Sequence, residues 1–93
     1  MKTVWKYRVP VADDFAIDMP VGTQVLTMQM QRGQPCIWAL IDAKVDAPFE
    51  QRKFRMFGTG HEIEEDIEMS YVGTFQIGNG LLVFHVFEEV GPR

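Results

Sequence analysis

Apolar residues in this chain recur at every second position, stretch after stretch, and nowhere keep helical spacing across ten residues. A period of two places successive side chains on opposite faces of an extended strand, which restricts the chain to β architectures. Thr3 to Val9 sets Trp5, Tyr7 and Val9 against Val4, Lys6 and Arg8, a half-buried strand closed by Pro10. Phe15 to Met19 reads as a short extended piece, and Met19-Pro20-Val21-Gly22 as a turn in which Pro presets φ. Thr23 to Gln31 then alternates Leu26, Met28 and Met30 with Thr27, Gln29 and Gln31. After the turn Arg32-Gly33-Gln34-Pro35, Cys36 to Asp42 is almost continuously apolar, as a central strand covered on both faces would be. The core is expected to centre there.

Ala43 to Pro48 reads as a loop, Phe49 to Phe57 as a further strand, and Gly58-Thr59-Gly60 as its end. His61 to Glu68 is assigned to a loop, because Ile63 and Ile67 support one helical turn at most. Met69 to Ile77 and Leu81 to Glu88 flank Gly78-Asn79-Gly80, whose Asn-Gly pair tolerates the positive φ of a tight hairpin. The expected fold is all-β: a small antiparallel β-sandwich or barrel of about six to seven strands with a C-terminal hairpin. Ninety-three residues leave no room for two hydrophobic cores, so residues 1–93 are expected to form a single domain. No apolar run approaches the roughly eighteen residues that span a bilayer. The segment Met1 to Arg8 also interleaves charges where a signal peptide needs a continuous apolar stretch, so a cytoplasmic protein with no membrane partner is expected. Cys36 is the only cysteine, beside Ile37 and Trp38, which points to a packed thiol with neither a disulfide nor a metal role.

The formal charge of −4 argues against duplex nucleic acid as a partner, but it is unevenly spread. Glu62, Glu64, Glu65, Asp66 and Glu68 fall in one stretch without Lys or Arg, whereas Phe49 to Phe57 holds Arg52, Lys53 and Arg55 against Glu50 alone. A small anionic ligand is therefore compatible with the sequence. The turn Gly58-Thr59-Gly60-His61 follows those bases, so its backbone N–H groups and hydroxyl are candidates for a phosphate nest, against the plainer reading of a strand-ending turn. Trp5, Lys6, Tyr7 and Arg8, with Trp38 and Arg55 as candidate neighbours across a sheet, have the composition of a nucleotide pocket, aromatic faces for a base and guanidinium groups for phosphate. Core packing explains the aromatics equally well, and alternation splits the set between two faces. His85 alternates with Val83 and Phe87 and reads as a hydrogen-bonded structural histidine. No spacing assembles a nucleophile, a metal set or a cofactor motif, so a hydrolase built on His61 with Glu62 or Asp66 ranks last.

Six blocks, Val4-Trp5-Lys6-Tyr7, Met19-Pro20-Val21-Gly22, Cys36 to Asp42, Phe54 to His61, Tyr71 to Phe75 and Leu82 to Glu88, together give the chain a family likeness. It resembles short proteins of a domain family of unknown function found mainly in phage and prophage genomes, over nearly its whole length. That resemblance implies no activity and no catalytic residues; it implies a small phage accessory protein in the host cytoplasm. The expected function is non-enzymatic binding to a host or phage factor, including counter-defence, through a sheet edge and the acidic stretch. The alternative is a sponge for a nucleotide signal, with Arg8, Lys53, Arg55 and residues Gly58, Thr59, Gly60 and His61 on phosphate and Trp5, Tyr7 or Trp38 stacking at a subunit interface. Apolar residues on both faces of the last strand, Leu82, Phe84 and Val86 against Leu81, Val83 and Phe87, lead to the expectation of a homo-oligomer.

Overall fold

Four reversals of the chain hold residues at positive φ, at Gly22, Arg32-Gly33, Gly60 and Gly78-Asn79-Gly80, and help divide the alternating stretches into strands. In the computed structural model, which describes residues 1–42, 44 and 47–92, there are seven strands. They are β1 (Thr3–Arg8), β2 (Asp14–Pro20), β3 (Gln24–Gln31), β4 (Gln34–Ile41), β5 (Phe49–Gly58), β6 (Ile67–Ile77) and β7 (Leu82–Pro92). All pairings are antiparallel, and no helix occurs among the described residues. A three-stranded sheet has the order β1-β4-β3 and a four-stranded sheet the order β2-β5-β7-β6. The all-β sandwich and its C-terminal hairpin, β6-β7, are as the alternation implies.

The core between the sheets is built from the inward positions of each strand. Val9, Met19, Met28, Ile37, Phe54, Met56, Phe75 and Val86 are all buried in one cluster. Phe15 stacks on Phe54 with ring centroids 5.2 Å apart. The sheets meet closely where β6 bulges between Tyr71 and Gly73. Gly73 there lies so near Met28 of β3 that a Cβ on it would sit 2.8 Å from Met28 Cβ and 2.9 Å from the Met28 backbone nitrogen and oxygen. Only hydrogen fits at that position.

Some boundaries differ from the sequence reading. Ile67 and Glu68, assigned to the acidic loop, belong to β6 because β7 runs on to Pro92 and supplies Pro92 and Gly91 as their partners. The turn after β2 closes one residue later, with the Thr23 N–H donating to Pro20 O and Gly22 at φ 86°. The loop expected over Ala43–Pro48 falls partly outside the described residues. β4 is the middle of its sheet, but its outward side chains Trp38 and Leu40 are only half-buried. Cys36 is fully covered there by side chains of the flanking strands and not by a further layer.

The two sheets differ in charge. β1, β3 and β4 contain no acidic residue, whereas Asp14, Asp18, Glu50, Glu68, Glu88 and Glu89 all lie on strands of the other sheet.

Candidate functional site

Strand alternation distributes the candidate residues over different surfaces. Trp5 and Tyr7 pair with Ala39 and Ile37 and share their inward side, while Lys6 and Arg8 pair with Trp38 and Cys36 and share the outward side of the same sheet. Arg8 and Trp38 are thus brought to one face and Trp5 and Tyr7 to the other. Lys53 and Arg55 pair with Ala16 and Asp14, opposite in sense to inward Phe54, and so lie on the outward face of the four-stranded sheet. The thickness of the sandwich separates them from Arg8.

Two of the three bases of β5, Arg52 and Arg55, are already engaged. Arg52 forms a fork on Glu88, through Nε to Oε2 and through Nη2 to Oε1 at 3.0 Å, and its Nη1 donates to Thr23 O at 2.9 Å. This one side chain joins β5, β7 and the start of β3. The hydrogen bond to Glu88 raises the Arg52 pKa, burial opposes it, and the charges of Glu88 and Glu50 add to the rise. Arg55 pairs with Glu89 at 3.1 Å and reaches Glu64 of the acidic loop at 4.0 Å.

The groups of the Gly58–His61 turn are also in use. His61 N–H donates to Gly58 O at 3.1 Å, and Gly60 takes φ 88°. The imidazole folds back over Gly58, where an added Cβ would lie 2.9 Å from His61 Cε1. Thr59 Oγ1 lies 2.7 Å from His85 Nε2, and His85 Nδ1 lies 3.0 Å from Thr74 Oγ1, which also meets the Tyr71 hydroxyl. His85 is therefore held at both ring nitrogens, beside an outward aromatic cluster in which Phe87 makes edge contacts with Phe57 and Tyr71.

A cleft of about 550 Å³ opens where the four-stranded sheet forks. β5 and β7 pair only from Phe54↔Glu88 to Gly58↔Phe84; beyond that point β5 follows β2 and β7 follows β6. Glu50, Arg52, Lys53, Glu88 and Glu89 line the opening, a mixed set whose charges largely satisfy one another. Among the described residues no three His, Cys, Asp or Glu side chains are grouped to hold a metal ion.

β1 is the least covered element. It pairs along all six residues with β4, yet only Tyr7 is even half-buried. Val4 is 53% exposed and Trp5 40% exposed, and β1 has no strand on its other side. Two buried polar atoms in this sheet, the Tyr7 hydroxyl and Trp38 Nε1, find no protein partner, and burial pushes the Tyr7 hydroxyl pKa up. The sequence reading included Trp5 and Tyr7 but missed Gln31 and Arg32, which lie on and beside the outward face that carries Lys6 and Arg8. The turn Arg32-Gly33 was visible, but nothing local says that β1 pairs with β4.

A family profile described as a domain of unknown function (DUF7352) matches residues 1–93. No curated protein and no solved structure matches the chain. No helix among the described residues is long and apolar enough to cross a membrane.

Proposed function

We propose that this chain, which belongs to the DUF7352 family of unknown function, is a non-enzymatic binding module whose first strand accepts an extended segment of a partner polypeptide. What carries the reading is β1, a strand paired on one side only and exposed at every residue except the half-buried Tyr7. An open strand offers a row of backbone N–H and C=O groups, and a partner strand satisfies them by extending the sheet. Its side chains set the specificity: one face of the edge presents Trp5 and Tyr7, the other Lys6 and Arg8. The matching segment alternates apolar residues with Asp or Glu. Of the other outer strands, β2 carries Asp14 and Asp18 and ends in Pro20, features that discourage pairing, while β3 and β6 approach each other at Met28 and Gly73.

The molecule also has surface to spare. Its accessible area is 6402 Å², against about 5,500 Å² given by the scaling law for a monomer of this mass. The difference, about 900 Å², is comparable to one partner's share of a standard interface. The block likeness to phage and prophage proteins supports a phage accessory role in the host cytoplasm, with a host or phage polypeptide as the partner and counter-defence as the setting.

A peptide-display library selected on the wild-type chain tests this. Enriched sequences should alternate apolar and acidic residues, protect the amides of residues 3–8 from hydrogen exchange, and lose at least tenfold in affinity on Trp5→Ser. Peptides without alternation, or protection confined to other strands, would refute it. A dimer in sedimentation that Trp5→Ser dissolves would instead assign the edge to a second copy of the chain.

A further inference from the structure

We infer that the outward face of the three-stranded sheet holds a site for a small phosphate-bearing anion, formed by Lys6, Arg8, Gln31 and Arg32. These residues, with Gln34 and Cys36, line a cavity of about 250 Å³. That is below the range of drug-sized pockets, about 300–1,000 Å³, and suits a compact anion. Three cationic side chains meet here with no carboxylate in the lining, and the sheet itself has no acidic residue. This contrasts with the bases of β5, where Arg52 and Arg55 are paired with Glu88 and Glu89. In a chain of net charge −4, three clustered cations with no ion pair among the described residues repel one another, and a multiply charged anion removes that repulsion.

The neighbouring side chains are oriented as donors. Lys6 Nζ donates to Gln31 Oε1 at 2.6 Å. Lys6 is level with Trp38 and Gln31 with Gln34, so this bond crosses β4 over Cys36. It turns the Gln31 amide nitrogen away from the lysine and leaves Lys6 further N–H groups to donate. Gln34 Nε2 is committed to Val9 O and Pro35 O at 3.0 and 3.1 Å, and the Cys36 thiol to Gln34 O, so these two residues form the floor of the cavity. Arg8 and Arg32 supply guanidinium forks, the geometry that matches phosphate oxygens.

Arg32 adds an independent sign. It occupies the first position of the two-residue β3–β4 turn at φ 50°, followed by Gly33 at φ 78°. Such turns favour Asn-Gly or Gly-Gly, and a long side chain at positive φ is strained. A guanidinium held in that conformation projects from the rim of the cavity that Lys6 and Arg8 line, and strained residues of this kind concentrate at ligand sites.

Arg32→Asn separates binding from folding, because it removes the guanidinium while installing the residue the turn prefers. The test is calorimetric titration of the full chain with inorganic pyrophosphate at low ionic strength. We expect one site per chain, weakening with added NaCl, and a loss of about tenfold or more on Arg32→Asn and on Arg8→Gln, the effect of one charge-assisted contact. Lys53→Gln, on the opposite face, should bind as wild type, and Arg32→Asn should melt no lower than wild type. A parallel titration with ADP distinguishes the source: tighter binding than pyrophosphate assigns a nucleotide, weaker binding a free phosphate species. Absence of binding at millimolar pyrophosphate, wild-type affinity in Arg32→Asn, or equal loss in Lys53→Gln would overturn the assignment.

Discussion

The contact between Gly73 and Met28 makes a quantitative prediction about how the sheets are joined. An alanine at 73 places its Cβ 2.8 Å from Met28 Cβ and 2.9 Å from Met28 N and O. None of these atoms moves with a rotamer, so β3 and β6 must separate. Overpacking of a dense core costs about 1–3 kcal/mol, and contact with backbone puts this site at the upper end. Against this, replacing Gly by Ala restricts the unfolded chain and stabilises by about 0.4–1 kcal/mol. The net effect is a loss of about 2 kcal/mol, or about 10 °C in Tm for a domain of this size. Urea unfolding followed by tryptophan fluorescence measures it, with Gly58→Ala as the control. There the added Cβ meets the His61 ring at 2.9 Å, but the imidazole is free to swing toward solvent, so the change should stay within about 0.5 kcal/mol. Adding Met28→Ala to Gly73→Ala should rescue nothing, since the obstructing atoms survive that truncation. Equal stability of Gly73→Ala and wild type, or equal losses at the two glycines, would show that the sheets are not in hard contact at this point.

Glu88→Ala leaves the Arg52 guanidinium largely buried with the Thr23 carbonyl and Glu50, 3.8 Å away, as its remaining partners. It should cost about 2 kcal/mol, less than a fully enclosed pair because the side chains keep some exposure. The double replacement Arg52→Met/Glu88→Leu should recover most of that loss in urea titrations. Tyr7→Phe removes a buried hydroxyl that has no protein partner and should be neutral or stabilising by about 1 kcal/mol at pH 7. Because the Tyr7 pKa is raised above 10.0 in the folded state, the unfolded chain loses that proton first as pH rises, so wild-type stability should fall above about pH 10. Melting curves of Tyr7→Phe should show a smaller fall over the same range.

The strands were legible because a period of two is a local property, and each turn carried its own chemistry. Gly78-Asn79-Gly80 takes φ of 62°, 57° and 87°, as its composition implies. Sheet membership was not legible, because it depends on partners far along the chain. Arg55 looked like a free base until β7 brought Glu89 beside it, and Arg8 and Lys53 looked like neighbours in composition but lie on opposite faces. Trp5 and Tyr7 were correctly separated from Lys6 and Arg8 by alternation alone. What alternation could not supply was the third wall of the basic cavity, since Arg32 joins it only when β3 and β1 flank the same strand. The end of the acidic stretch was misplaced for the same reason: Ile67 and Glu68 become strand only because Gly91 and Pro92 lie opposite them.

The order of strands within the sheets also bears on how the protein is made. β1 waits for β4, β2 waits for β5, and β5 and β6 both wait for β7. A nascent chain emerging at about 5–20 residues per second therefore exposes its first strands for seconds before their neighbours exist. The β1-β4-β3 sheet has all its strands by residue 41, but its inward apolar face stays uncovered until the second sheet closes, and β6 has no hydrogen-bonded neighbour except β7. The four-stranded sheet is completed only when residues 82–92 leave the ribosome. Chains stalled before that point present an uncovered apolar sheet face and unpaired strands to chaperones and proteases.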